Sequence, residues 1–408
     1  MERVEAVVIG AGQAGLCMSY HLSRLGIEHL VLERARIAER WRSERWDSLV
    51  FQFPNWMLRL PGFAYEGPRP DDFMPRDGIV EFLEEYARRT MPPVRCGVRV
   101  TGLYQSPSGH LRVEADSLSL EALHVVVATG PYQRPIVPAL SQSLPAATWQ
   151  ITANCYTRAQ QLPPGAVLVV GSGGSGWQIA EDLVRNGRRV YLSVGRHLRV
   201  PRRYRGQDFG WWQEALGTAD QVVGNVPRSM PPPLLTGIDG GHDADLRDLQ
   251  RRGATLLGSL GAVEGTRLRF VSDLEENLAK GDAGFEHFCR SVDAHVQRHH
   301  LAAPRAPAAP QATGPMERAV QPGVIDLAAT GITSIIWAVG YQPDFGWIHC
   351  APFNTHGHPV HSRGLSPTPG LYFLGLPRLH KVKSAFLWGV GEDAAYLASH
   401  ILDRRRGV

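Results

Sequence analysis

The chain has 408 residues, enough for two domains or for one large domain carrying an insertion. Its 43 basic and 39 acidic residues leave a net charge of +4, too balanced for a nucleic-acid partner, and a hydrophobic share of 43 % is that of an ordinary globular protein. Cys17, Cys96, Cys155, Cys289 and Cys350 are scattered without a Cys-x-x-Cys pair, so neither a redox dithiol nor a zinc site is suggested; no apolar run reaches the roughly 18 residues of a membrane span, and with no signal peptide a cytoplasmic protein with reduced thiols is expected.

In chain order, the first element is a strand, Val7-Val8-Ile9, running into Gly10-Ala11-Gly12-Gln13-Ala14-Gly15 and then a helix from Leu16. Gly10 permits a tight turn, Gly12 lets backbone approach a pyrophosphate, and Gly15 lets helix and strand pack closely. Phosphates would sit at the helix N-terminus, where unpaired N–H groups and the positive end of the dipole point. A second strand, His29 to Leu32, ends at Glu33, placed to accept a hydrogen bond from a ribose hydroxyl. Trp41-Arg42 and Trp46 follow; planar side chains there could wall a flavin ring and Arg42 could reach its phosphates, or the stretch is a surface turn with one buried Trp.

Ile79, Phe82, Leu83 and Tyr86 have helical spacing, and Val98/Val100, Leu111/Val113 and Leu118/Leu120 read as a short antiparallel layer. Leu123 to Val127 is a buried strand ending in Ala128-Thr129-Gly130, small residues that allow a nucleotide close, and Pro131, Pro135, Pro138 and Pro145 mark a crossing between domains. Then the opening device recurs: Ala166 to Val170, Gly171-Ser172-Gly173-Gly174-Ser175-Gly176, a helix from Trp177, and a strand from Val190 through Ser193. Two such fingerprints a domain's length apart predict two dinucleotides on one chain. The second strand end carries no acid but Arg196, then Arg199, Arg202 and Arg203, and a base in that place favours a 2′-phosphate. The first site therefore suits FAD and the second NADPH.

Leu246 to Leu260 reads as a packed helix and strand, and Phe285 to His300 as an amphipathic helix. The adjacent His299 and His300 have no carboxylate or Cys nearby in sequence, so no metal is expected. Pro- and Ala-rich 302–323 reads as a flexible segment or lid. Ile335 to Trp337 is a buried strand ending in Ala338-Val339-Gly340, and with Ala128-Thr129-Gly130 it suggests a two-stranded hinge. Leu371 to Leu374 is a strand ending at Gly375, and Gly389-Val390 opens the last helix. The fold class is α/β, two Rossmann-type domains with the second inserted in the first: 1–160 with 331–408 for FAD, and 161–330 for NADPH, including a helical insertion near 204–300.

These motifs give the chain a resemblance to flavin-containing monooxygenases of the class B flavoproteins, in their bacterial branch. It rests on the paired glycine loops, Trp41-Arg42, Trp46-Asp47-Ser48-Leu49, Ala128-Thr129-Gly130, Trp337 to Tyr341 and Gly370 to Gly375. The resemblance implies that NADPH reduces FAD, that O2 adds at flavin C4a, and that the resulting peroxide oxygenates a small organic substrate at N, S or a carbonyl carbon. Implied FAD contacts are the first loop, Glu33, Arg34, Trp41, Arg42, Trp46, Val100, Ala128, Thr129, Gly130, Gly375 and Val390. Implied NADPH contacts are the second loop, Ser193, Arg196, Ala338, Val339 and Gly340. The family's Phe-x-Gly-x-x-x-His-x-x-x-Tyr motif aligns with Ala146, Thr148, Thr152 and Tyr156, so only the tyrosine is kept, and Gln52 stands where the family often has a flavin-facing Asn. Gln52 is the one candidate catalytic residue. Thr152 in the histidine's place counts against a Baeyer–Villiger reaction. The rival readings are an NAD(P)H oxidase or reductase without oxygen insertion and a non-catalytic redox or transport-regulating flavoprotein; a homodimer is compatible with all three.

Overall fold

Two sheets with parallel cores organise the chain, and each is built around one of the glycine loops. The structure is a computed structural model and describes residues 2–107, 109–223, 231–304 and 323–406. In the first sheet Glu2–Ile9 lies between His29–Glu33 and Ser119–Val127, parallel to both. Val94–Cys96 extends one edge and Leu371–Phe373 pairs with the end of Ser119–Val127, again in parallel. Antiparallel Leu111–Ala115 and Val100–Gln105 complete seven strands. The run from Leu118 to Val127, read from sequence as two strands, is nearly all one. Its half-exposed start pairs antiparallel and its buried end parallel, with no break between.

The second sheet is parallel throughout, in the order Trp149–Thr152, Ile332–Trp337, Ala166–Val170, Val190–Ser193, Thr255–Leu257. This corrects the boundaries expected at 160 and 331, because strands on the far side of both pair with Ala166–Val170 or its neighbour. Ile332–Trp337 is buried on both faces, so it needs cover on both, and the centre of this sheet supplies it. The region 204–300 is also less helical than expected. Besides the helix Leu246–Arg251 it supplies Thr255–Leu257 and the hairpin Leu260–Glu264 with Arg267–Phe270, to which Val324–Asp326 adds a third strand. The late helix runs from Leu274 to Arg298, starting well before Phe285. Gly281 hid its first turns from a periodicity reading; a Cβ there would lie 2.4 Å from His197 Nε2, so the close packing demands glycine. Of the expected flexible segment 302–323, residues 305–322 lie outside the described residues.

The chain crosses between the sheets after Val127 and again after Trp337, and the two crossings pair with each other, Arg134–Pro135 against Tyr341–Gln342. Each sheet has its own core. Val7, Leu16, Val126, Phe373 and Leu397 belong to the first. The second sheet buries Val167, Trp177 and Leu249 on one face and Leu168, Tyr191 and Ile335 on the other.

One buried charge braces the second half. Glu181 is fully buried on the helix Gly174–Arg185, 2.8 Å from His242 Nε2, and accepts from Arg252 Nη1 at 2.7 Å. Burial alone would raise the Glu181 carboxyl, but the two bonds outweigh it and hold it below its ordinary 4.5. The bond to Glu181 raises His242 above 6.5. The Glu181 contribution to stability is lost as pH falls through its depressed value, and that of His242 as pH rises through its raised value. Both are intact from about pH 4.5 to 6.5. Thermal melts of His242→Gln should therefore show the largest deficit in that window, closing as pH rises through the raised His242 value; a deficit that does not change with pH refutes the linkage.

Candidate functional site

A continuous cleft of about 2430 Å³ runs between the two sheets and is lined by both glycine loops. Typical small-molecule sites enclose roughly 300–1,000 Å³, so there is room for more than one ligand. The loops are built alike. Gly10 has φ +109°, and a Cβ there would lie 2.7 Å from the Ala128 carbonyl oxygen. Gly171 has φ +103°, and its Cβ would lie 2.6 Å from that of Ala338. Behind each loop the third glycine packs its helix: a Cβ on Gly15 would sit 1.8 Å from Gly10 O, and on Gly176 1.9 Å from Gly171 O. Facing the cleft the picture reverses, for a Cβ on Gly12, Gly173 or Gly174 would meet nothing within 4 Å. No side chain caps either following helix. Their first-turn N–H groups thus remain for an anion. These open, uncapped cradles fit a dinucleotide pyrophosphate at each loop.

Around the first loop, Glu33 is nearly buried; its Oε2 accepts from Ala11 N–H at 2.8 Å and its Oε1 from Ala35 N–H at 3.0 Å. The two bonds fix the carboxylate and leave lone pairs for a ribose hydroxyl. Gln13, Ala14, Arg34, Trp41, Trp46, Val100, Ala128, Thr129, Gly130 and Gly375 all line the cleft. Gln13 Nε2 donates to Ala385 O at 2.7 Å, and a Cβ on Gly375 would be 2.7 Å from Ala14 Cβ, so the C-terminal segment closes tightly over this loop. Besides Gly15, which packs behind the loop, two expected FAD contacts do not reach the wall. Arg42 turns away, its Nε donating to Ile37 O at 3.1 Å and its Nη2 to Glu84. Val390 is wholly buried behind the wall, in the core. Arg40 and Arg45, neighbours of Arg42, line the cleft instead, the latter stacked 5.8 Å from the Trp41 ring and 5.2 Å from that of Tyr132. The sequence signal was present in the charged run around the two tryptophans, but not which face each arginine takes.

Around the second loop, Ser172, Ser175, Ala338, Val339 and Gly340 line the cleft. Ser193 does not; its hydroxyl donates to Gly258 O at 3.0 Å and accepts from Leu260 N–H at 3.0 Å, stitching the strand to the next segment. The four nearby arginines divide by what they already hold. Arg199 pairs with Asp245 at 3.0 Å and Asp282 at 2.9 Å, and Arg203 donates to the Gly240 and Gly241 carbonyls at 2.6 and 2.9 Å. Arg202 is buried against Asp208. Arg196 is exposed on the cleft. Among the described residues it is the one of the four without a hydrogen bond or ion pair.

Where the sheets meet, Val50–Pro54 alternates so that Phe51 and Phe53 are buried and Gln52 is half-buried on the cleft. Aromatic rings also line the cleft: Phe386 and Trp388 lie 5.9 and 4.6 Å from the Phe53 ring, and Phe209 lies 5.1 Å from Phe288. Of the aligned family motif, Tyr156 is buried and donates to Asp182 Oδ2 at 2.5 Å, while Ser48 donates to Asp182 Oδ1 at 2.6 Å. Burial drives the tyrosine hydroxyl far above its ordinary range, so it stays protonated as a donor to Asp182 within the core of the second sheet, and Ser48 ties the same carboxylate to the first half. Thr152 donates locally to Asn154 Oδ1 at 2.7 Å and is not on the cleft.

Residues 7–205 match the family described as pyridine nucleotide-disulphide oxidoreductase. All five cysteines here are unpaired. An uncharacterized CzcO-like oxidoreductase of Geobacillus kaustophilus is 31 % identical over 406 residues, 98 % of this chain and 99 % of its own length. YUCCA1 of Arabidopsis thaliana, named a probable indole-3-pyruvate monooxygenase, is 33 % identical over 193 residues, 46 % of either chain. A flavin-containing monooxygenase from Stenotrophomonas maltophilia shares the fold with a TM-score of 0.69, at 19 % identity over 99 % of both chains. No helix among the described residues is long and apolar enough to cross a membrane. With 31 % identity to a CzcO-like oxidoreductase along nearly its whole length, the chain belongs to the CzcO-like oxidoreductases.

Proposed function

We propose that the chain is an FAD- and NADPH-dependent monooxygenase that oxygenates a small organic molecule at nitrogen, sulfur or a carbonyl carbon. The observation that carries this reading is that two open glycine cradles face one cleft, with the Gln52 side chain on the same wall. The first loop and Glu33 would hold FAD, and the second loop with Arg196 would hold NADPH. Bound FAD would supply the redox chemistry, accepting hydride from NADPH and activating O2. The chain's own part is to position and to exclude water. Ala128 and Ala338 let each crossing lie against its glycine loop, so the two nucleotides would meet where the halves join. Gln52 makes no side-chain hydrogen bond to another described residue, and its amide can donate into the cleft. The aromatic lining keeps bulk water from the reacting end.

The test follows NADPH consumption in the purified holoenzyme under ¹⁸O2 with thioether, amine and ketone probes. Label in a product supports the proposal. Release of all electrons as H2O2 with every probe favours the oxidase reading, towards which Thr152 in the histidine's place points. Gln52→Leu is expected to raise H2O2 release several-fold without substrate and to leave FAD content unchanged; unaltered release removes Gln52 from the reaction.

A further inference from the structure

The strand bearing Gln52 is poorly held by its own sheet. Val50 pairs with Pro75 and Pro54 with Phe73, so the three residues 51–53 bulge opposite Met74. A bulged residue forfeits ladder bonds, yet a carbonyl at such depth needs a donor. The donor is supplied from the other half of the molecule. Arg202 Nη1 donates to the Gln52 carbonyl oxygen at 2.7 Å. Its Nε and Nη2 donate to Asp208 Oδ2 and Oδ1 at 2.8 and 2.5 Å, and its guanidinium lies 4.9 Å from the Phe73 ring. The residue is 1 % exposed. The planar fork is what lets one side chain satisfy a carboxylate and a carbonyl together, and a lysine cannot copy it.

Both ends of this link matter to the cleft. Asp208 also accepts from Gly210 N–H at 2.8 Å, capping the helix Phe209–Ala215 that contributes Phe209 and Gln213 to the wall. Arg202 itself is fixed at its backbone, where its N–H donates to Asp243 Oδ1 at 2.6 Å, and it lies a few residues beyond Arg196 on the segment leaving the second sheet.

We infer that Arg202 is a positioning residue for Gln52: it fixes the bulge that sets the direction of the Gln52 side chain, and it does so from the segment that carries Arg196. The inference rests on the reading of Gln52 given above. Replacing Arg202 frees the bulge, and the amide no longer points one way.

The test compares Arg202→Met, Arg202→Lys, Gln52→Leu and the double variant Arg202→Met/Gln52→Leu. Hydrogen exchange on the full chain is expected to speed up about tenfold over 50–54 and 209–215 in Arg202→Met, with 2–9 unchanged, and Arg202→Lys to fall between. H2O2 release from NADPH and O2 without substrate is expected to rise several-fold in Arg202→Met and in Gln52→Leu, and no further in the double variant. Full additivity in the double variant overturns the inference, as does unchanged release in Arg202→Met when Gln52→Leu does raise it. Unchanged release in Gln52→Leu removes the Gln52 reading and this inference with it. Faster exchange throughout the chain marks Arg202 as a general stabiliser and also overturns the inference.

Discussion

A Gly12→Val variant is expected to fold and to emerge from purification colourless. Gly12 has extended backbone, φ −82° and ψ −173°, which valine adopts without strain. A Cβ there would meet no protein atom within 4 Å. The main cost to the apoprotein is a poorer residue at the N-cap, on the order of 1 kcal/mol or less. The branched side chain instead fills the space where backbone must approach a pyrophosphate. FAD affinity should drop by roughly a hundredfold or more, since overpacking and lost hydrogen bonds together cost about 3 kcal/mol. Visible absorbance per chain and the apoprotein melting temperature are the two measurements. Retained flavin would show that the pyrophosphate lies elsewhere. Gly15→Val is the contrast: its Cβ would be 1.8 Å from Gly10 O, so that variant should lose the fold together with the colour.

The second large effect concerns coenzyme choice. Arg196→Ala should weaken NADPH far more than NADH. A charge-assisted bond to the 2′-phosphate corresponds to a loss of roughly tenfold to a hundredfold. The neighbouring arginines cannot take over readily, because Arg199, Arg202 and Arg203 already have carboxylates or carbonyls to hold. Steady-state KM for both coenzymes decides the matter; equal losses for NADPH and NADH place the 2′-phosphate away from Arg196. Salt should weaken the wild-type preference, since the side chain is exposed.

Much of this was legible in the chain before its structure. Parallel strands buried on both faces are near-continuous apolar runs, so Val7–Ile9, Val125–Val127, Ala166–Val170 and Ile335–Trp337 stood out, and the glycines after two of them named the loops. Trp149–Thr152 did not stand out, because an edge strand half open to solvent has no such pattern. Nor could spacing say that Ile332–Trp337 pairs with Ala166–Val170 rather than with the first sheet, a choice made by tertiary contacts. The arginines show the limit most clearly. Arg42 and Arg45 lie in one charged run, and Arg196, Arg199, Arg202 and Arg203 in another. Which of them face the cleft depends on carboxylates distant in sequence, Glu84, Asp245 and Asp282 among them. Gln52 could be placed by alignment, while the guanidinium holding its carbonyl could not.

The pairing of the two crossings, Arg134–Pro135 with Tyr341–Gln342, sets how the halves can move. Two covalent passages laced together act as two pins of one door: they permit a swing about their common line and resist sliding or parting. Opening of the cleft to exchange one coenzyme would then widen the mouth while the floor, where both small-residue strand ends lie, keeps its spacing.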